Sequence, residues 1–458
     1  MCGPGGGFIK MYINHRVACA VALARSWLRR RLGVFDMYAL VHSDSQSTYY
    51  FLLGFIALYA GEYAFFGAIY GVLLMAAIAV TYGEMGSRFP ETGGSYLYIK
   101  SAFGPTLAYI SAWLIAFDQI VMVAYGTIDA AKTINKTLGL GIHEAALAAA
   151  FTTALFALTV VGIRESANFA KAVAAVDLAV MPALIIWALA THPAPPPHFG
   201  WAGVEGASLL FALSLLSRGF TGVDAIGQLA GEAREPLVQV PKATALVVAV
   251  GAFFGLGLTA ALMSALRPEE LADPAVAPLY LAAKVNPALA YAVALNLFLV
   301  MITAALAGYV SFSRLVYMMA EEGHLPGILG RLHRRFRTPH VSLLLVYTIS
   351  LLLIAPGEIE IILAIYAVGS LLNYLLVAAA LAKLSRSGDL YSAFRTPKVA
   401  GVPLSAAAAL VLLPLGIGLT VLEKYRYLWA LALWLGAGLA LLYLTKRRDP
   451  RRRAVGAE

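Results

Sequence analysis

VFDMYALVHSDSQSTYYFLLGFIALYAG, residues 34–61, and ASLLFALSLLSRGFTGVDAIGQLAG, residues 207–231, decide the fold between them. Each is long enough to cross a bilayer, yet each carries charge and poor helix formers near its centre. Lipid tolerates unwound main chain at that depth only where protein buries it or it lines a wet cavity. Both stretches are therefore expected to break midway. A pair of broken spans, one in each half of a polytopic chain, points to the binding site of a carrier.

Outward from these segments the whole chain reads as membrane protein. Of its 458 residues, 60% are hydrophobic and only 13% charged, with a mean hydropathy of +0.78. A soluble core of this length has no use for so much apolar sequence. About 30 Å of hydrocarbon takes roughly 20 helical residues to cross. That ruler places about twelve spans, at 34–60, 63–82, 105–131, 144–162, 168–190, 206–230, 243–265, 288–319, 340–355, 358–382, 402–421 and 427–445. The runs are too long for strands and lack period-two alternation. The expected class is all-α integral membrane, with about twelve transmembrane helices.

A net charge of +9 invites a nucleic-acid partner, but its distribution argues against one. With the N-terminus inside, about 27 of the 34 Lys and Arg fall on the cytoplasmic side, about six outside, and Arg218 within the membrane. That asymmetry sets orientation. An even number of spans then makes both termini cytoplasmic, in a protein of the cell membrane. The basic tail (Lys446–Arg448, Arg451–Arg453) attracts anionic headgroups of the lipid bilayer without a specific partner. Cys2 and Cys19 imply neither a disulfide framework nor a zinc site. The run VACAVALA (17–24) is short, and Arg29–Arg31 follow rather than precede it, so it reads as an interfacial helix or an untidy start site rather than a signal peptide.

The expected organisation is a cytoplasmic N-terminal segment (1–33), a five-helix block (34–190), a second five-helix block (191–383), helices eleven and twelve (384–445) and the tail (446–458). An odd number of crossings separates the starts of the two blocks, so their topologies are opposite: a 5+5 inverted repeat with broken helices 1 and 6. Residues 267–287 are too polar to span and are expected over the outer face.

Three stretches, in order and at matching spacing, carry a family resemblance. They are YGEMGSRFPETGGSYLYIKSAFGPTLAYISAWLIAFDQ (82–119), FTGVDAIGQLAGEAREPLVQVPKA (220–243) and SRLVYMMAEEGHLPGILGRLHRRFRTPHVS (313–342). In these the chain resembles the amino acid–polyamine–organocation superfamily of permeases, colinearly over nearly its whole length. The resemblance implies the five-plus-five LeuT-like fold, with solute held between broken helices 1 and 6. It also implies alternating access coupled to protons, sodium or exchange. Relatives usually break the first helix at Gly–Ser–Gly, whose bare amides receive a carboxylate. Here Ser47, Thr48 and Tyr49 take those places, and Asp44 with Ser47 and Thr48 is similar to a motif of potassium-uptake permeases in the superfamily.

Four ionisable residues fall near mid-depth: Asp44, Asp118, Asp177 and Arg218. Each costs on the order of 3 kcal/mol there and needs a partner or a wet cavity. Asp177 lies where proton-coupled relatives carry a Lys. It would hold a proton, coordinate a cation, or form a structural pair with Arg218. Asp44 is the second candidate for the coupling ion or proton. Arg218 would grip an acidic solute or neutralise an acid permanently. The candidate solute site comprises Ser43, Asp44, Ser47, Thr48, Arg218, Phe220, Thr221 and Gly222, with Tyr125, Tyr366, Ser370 and Asn373 as further cavity residues. His42 and Asp118 read as polar contacts. Glu84 and Arg88, four apart, are placed to pair at the cytoplasmic end of the second helix, and Arg314, Glu232 and Asp36 read either as a cytoplasmic gate that breaks on opening or as an ordinary interfacial charge cluster.

No HExxH, Gly–x–Ser–x–Gly or metal-spaced Cys/His motif occurs, so neither an enzyme, a metal nor a cofactor is expected. The expected function is a secondary active permease for amino acids or related organic cations, proton-coupled or exchanging. The alternative is uptake of an inorganic monovalent cation, potassium, within the same superfamily. The expected partners are a small-molecule solute, a proton or monovalent cation, and the bilayer, with no nucleic acid.

Overall fold

The computed structural model describes residues 30–193, 206–219, 222–271, 276–355, 360–387 and 392–448. Its helices run α1 (Val34–Ala60), α2 (Ala64–Gly86), α3 (Ser95–Phe103), α4 (Pro105–Leu138), α5 (Glu144–Val161), α6 (Ile163–Thr191), α7 (Gly206–Gly219), α8 (Ala225–Leu229), α9 (Pro236–Ala265), α10 (Ala277–Val285), α11 (Pro287–Glu321), α12 (His340–Ile354) and α13 (Glu360–Ser387). A two-stranded hairpin, β1 (Lys398–Val399) and β2 (Val402–Pro403), precedes α14 (Leu404–Lys424) and α15 (Leu428–Arg448).

Among the described residues, nine helical stretches are long and apolar enough to cross a membrane. The first of them, Val34–Gly86, is α1 and α2 joined by a single 3-10 turn at Gly61–Tyr63. With α7–α8 as one interrupted crossing and α12 as a short one, the crossings number twelve. Two helices start earlier than hydropathy suggests. Arg164 and Glu165 end the apolar run but not α6, which begins at Ile163. Pro236 occupies the first turn of α9, where a missing amide hydrogen costs nothing.

The interruption expected in the first span is absent: α1 is one unbroken helix of 27 residues. No glycine lies between Val34 and Leu53. The hydroxyls of Ser47 and Thr48 donate back to the Asp44 carbonyl at 3.0 and 3.2 Å. The hydroxyls are satisfied within the helix, and without glycine the main chain has no permissive point at which to leave it. The second interruption is present. α7 stops at Gly219, α8 begins at Ala225, and between them Gly222 holds φ at +94°, which glycine adopts without steric cost. Phe220 and Thr221 lie outside the described residues.

α1 is wedged between α6, α7, α9 and α11, and the broadest helix contact in the molecule joins α4 to α11. There the main chains nearly touch. A Cβ on Gly126 would lie 2.9 Å from the Met301 carbonyl oxygen, and one on Gly308 2.8 Å from that of Gln119. Small residues allow this approach, on which helix association in lipid depends. The bundle has a near end, where α1 starts, and a far end, where it stops. At the near end the hairpin segment folds against α2. The Thr396 amide and hydroxyl donate to Glu84 Oε2 at 3.0 and 2.7 Å. Arg88 Nη2 donates to Glu84 Oε1 at 2.6 Å, making the pair the sequence suggests.

Candidate functional site

α1 presents two polar faces. At about 100° per residue, His42 and Asp44 project about 200° apart, so the neighbours of one are not those of the other. The Asp44 face looks at the interrupted crossing. A Cβ on Gly222 would meet the Asp44 carboxyl carbon at 2.9 Å and both its oxygens at 3.1 Å. One on Gly219 would meet Leu52 at 2.8 Å and the Thr48 methyl at 3.8 Å. The two quoted stretches thus meet in one place, although only the second is broken.

Towards the far end from that contact lies a cavity of about 100 Å³. Ser47, Thr48, Phe51 and Leu52 of α1 form one wall. Val121, Met122 and Tyr125 of α4 form another, and Ser214, Leu215 and Ala367 close it, with Lys424 at the rim. The lining is mostly carbon. Its oxygens come from Ser47, Thr48, Tyr125 and Ser214. The buried hydroxyls of Ser214 and, one turn below Ser47, Ser43 have no partner among the described residues; such groups ordinarily hold water or ligand. Asp44 lies beneath the cavity, 2% exposed. The backbone of Arg218 belongs to α7, but its side chain, like those of Phe220, Thr221 and Tyr366, lies outside the described residues. Ser370 bonds to the Ala367 carbonyl at 3.3 Å. Asn373 is committed to Tyr82 and Ser111 at 2.9 and 2.7 Å. Asp118 accepts from Gln119 at 2.9 Å.

The opposite face of α1 meets Asp177 of α6. Tyr50 donates to both its oxygens, at 2.7 and 2.9 Å. Asn296 of α11 donates to Oδ1 at 2.5 Å, and His42 Nε2 lies 2.8 Å from Oδ2. The other His42 nitrogen, Nδ1, lies 2.9 Å from the Tyr38 hydroxyl. His42 is 1% exposed and Asp177 fully buried. Sequence reasoning singled out Asp177 and His42 separately but missed Tyr38, Tyr50 and Asn296. The spacing of Tyr38 and His42 by one helical turn was a readable signal; Asn296, 119 positions from Asp177, offered none.

The near end is closed by charge. Arg314 of α11 grips Glu232 with two bonds, Nε to Oε2 at 2.9 Å and Nη2 to Oε1 at 3.2 Å. Both side chains are almost fully buried. The main chain of Arg31 and Leu32 donates to the Glu232 carbonyl at 2.9 and 3.0 Å, holding the stretch before α1 against the same place. Asp36 does not join this cluster; it pairs with Lys171 at 2.7 Å and accepts the Gly33 amide at 2.8 Å. Among the described residues no three His, Cys, Asp or Glu side chains gather as a metal site.

Comparison with known proteins agrees with this architecture. A family model described as amino acid permease matches residues 32–437. An uncharacterized transporter of Mycobacterium tuberculosis is 27% identical over 77% of this chain and 80% of its own length. The branched-chain amino acid permease BcaP of Bacillus subtilis is 25% identical over 93% and 94%. The low-affinity putrescine importer PlaP of Escherichia coli is 24% identical over 62% and 66%.

Proposed function

The chain belongs to the amino acid permease family, and on that premise we propose that it is a secondary transporter carrying amino acids or related organic cations across the cell membrane by alternating access. One observation carries the reading: a mid-bundle cavity beside the interrupted crossing, barred towards the near end by the buried Arg314–Glu232 pair. The distribution of Lys and Arg supports a cytoplasmic near end, so the described state is one closed to the cytoplasm.

The cavity chemistry narrows the solute. Carbon walls from Phe51, Leu52, Val121 and Met122 suit an aliphatic body. Asp44 beneath them supplies the negative charge an ammonium group seeks. The amides of α1 are spent on its own helix, so a carboxylate would turn to the hydroxyls of Ser43, Ser47 and Thr48 and to Lys424. Branched-chain amino acids and putrescine, named for two relatives, share the amino group. Arg218, Phe220, Thr221 and Gly222 complete the site in this reading, and the five-plus-five repeat supplies the two bodies that rock. Coupling to protons rests on the Asp177 cluster.

Uptake of radiolabelled L-leucine, L-glutamate and putrescine into proteoliposomes tests it. Saturable flux of at least one, lost in Thr48→Trp, is the expected result. Rubidium flux with no organic flux would overturn it in favour of a potassium carrier.

A further inference from the structure

We propose that His42, rather than Asp177, carries the coupling proton, with Asp177 as its fixed counter-charge and Tyr38 as its link towards the near end. This rests on the transporter reading and names its ion-coupling group.

Hydrogen-bond direction decides between the two residues. Asp177 already receives three donors on its two oxygens: Tyr50, Asn296 and His42. With the Tyr50 hydroxyl within bonding reach of both oxygens, four contacts meet the four lone-pair sites of the carboxylate, so a proton placed on it would have to disturb one of these donors. His42 has a place for a proton. As a neutral ring it donates from Nε2 to Asp177 and accepts the Tyr38 hydrogen on Nδ1. On protonation a new N–H bond forms at Nδ1. Tyr38 turns its own hydrogen away and becomes the acceptor, and no heavy atom need move. The single buried charge becomes an ion pair with no net charge. That is the form in which a charged site best crosses low-dielectric surroundings, and imidazole changes charge in the physiological pH range.

The surroundings add no competing charge among the described groups that face the pair. They are Tyr38 and Tyr50 from α1, Asn296 from α11, and the Phe254 ring of α9, 6.2 Å from the imidazole. α10 contributes the buried apolar residues Ala277, Pro278, Leu281 and Ala282. The Lys171–Asp36 pair lies on the same two helices, about two turns nearer the near end. Tyr38 is one turn from His42 in that direction and touches the half-exposed Phe35 ring at 5.5 Å. Release of the proton from Nδ1 is therefore towards the near side, when that end opens. The hydrogen-bonded Tyr38 is the last group between them.

The test uses the full chain in proteoliposomes with L-leucine, L-glutamate and putrescine as probes and a trapped pH dye. In the unsubstituted protein, solute and proton enter together. Solute flux with no proton movement overturns the assignment, whereas no solute flux at all overturns the transporter reading instead. His42→Gln keeps a donor for Asp177 but accepts no proton. It is expected to lose accumulation driven by a pH gradient while counterflow exchange persists. Gradient-driven accumulation in that variant overturns the proposal. Should exchange vanish as well, Tyr38→Phe leaves the imidazole in place and decides. A shifted pH midpoint of uptake supports the assignment, and an unmoved one refutes it.

Discussion

Glu232→Ala is the most informative single perturbation of the closed near end. Arg314 and Glu232 are 1% and 2% exposed, so the interaction escapes the solvent screening that makes surface pairs nearly worthless. Removing one partner of a buried pair costs about 3–5 kcal/mol, because the other charge stays in the interior uncompensated. Ser313 Oγ still receives Arg314 Nη1 at 2.9 Å, which places the expected cost at the lower end, about 3 kcal/mol. When the near end opens, water hydrates the guanidinium, so the penalty falls on the closed state alone. At about 1.4 kcal/mol per decade, the open-to-closed ratio rises about 100-fold. The assay is labelling of an Ala233→Cys reporter, buried in the closed state, by a membrane-impermeant maleimide from the near side, with Cys2 and Cys19 replaced by Ser. Labelling accelerates about 100-fold in Glu232→Ala, and the double variant with Arg314→Met returns most of the way, since no charge is then stranded. Equal labelling with and without Glu232, or a double variant as open as the single, would refute the reasoning.

Four further outcomes follow from geometry and charge. Gly126→Ala should lower thermal stability in detergent by about 1–3 kcal/mol, because the Met301 main chain 2.9 Å away cannot yield. Gly418→Ala, with nothing within 4 Å, should be neutral or stabilising by about 0.5–1 kcal/mol. Glu84→Gln should lower the melting temperature and expose the hairpin segment to protease. It removes the charge that holds Arg88 and leaves one carbonyl oxygen, which cannot serve both Arg88 and Thr396, at a cost of about 2–3 kcal/mol. Glu270, in the far-end loop, is held below its ordinary 4.5 first by hydrogen bonds from Lys284 and then by the Arg267 amide. A lowered carboxyl contributes stability above its ordinary value and loses it as pH falls through the depressed one. The melting temperature should therefore drop more steeply below pH 4.5 in the parent than in Lys284→Met.

The crossings were legible because a bilayer imposes one length on every apolar run; the expected 34–60 and the observed Val34–Ala60 coincide. Boundaries slipped where helix continues beyond the apolar run, as at Arg164 and Glu165. The polar centre of each quoted stretch looked alike in composition but not in chemistry. Gly219 and Gly222 free the main chain, whereas the polar centre of α1 has no glycine and its Ser47 and Thr48 hydroxyls are satisfied inside the helix. Hydropathy and charge cannot make that distinction; counting glycines can. The site was half legible. Asp44 and Gly222 were both named, and their meeting follows from facing spans. The partners of Asp177 come from positions 127 and 119 residues away, and only packing reveals them.

The unbroken α1 has a mechanical consequence. A helix of 27 residues is a rigid rod about 40 Å long, and a rod without a joint cannot swing one half while the other stays. His42 and Thr48 are six residues apart, about 9 Å along that rod, on different sides of it. Any tilt that loosens the imidazole from α6 must displace the cavity wall in the same stroke. One lever then serves both ion and solute, with the stiffness of its own backbone as the transmission.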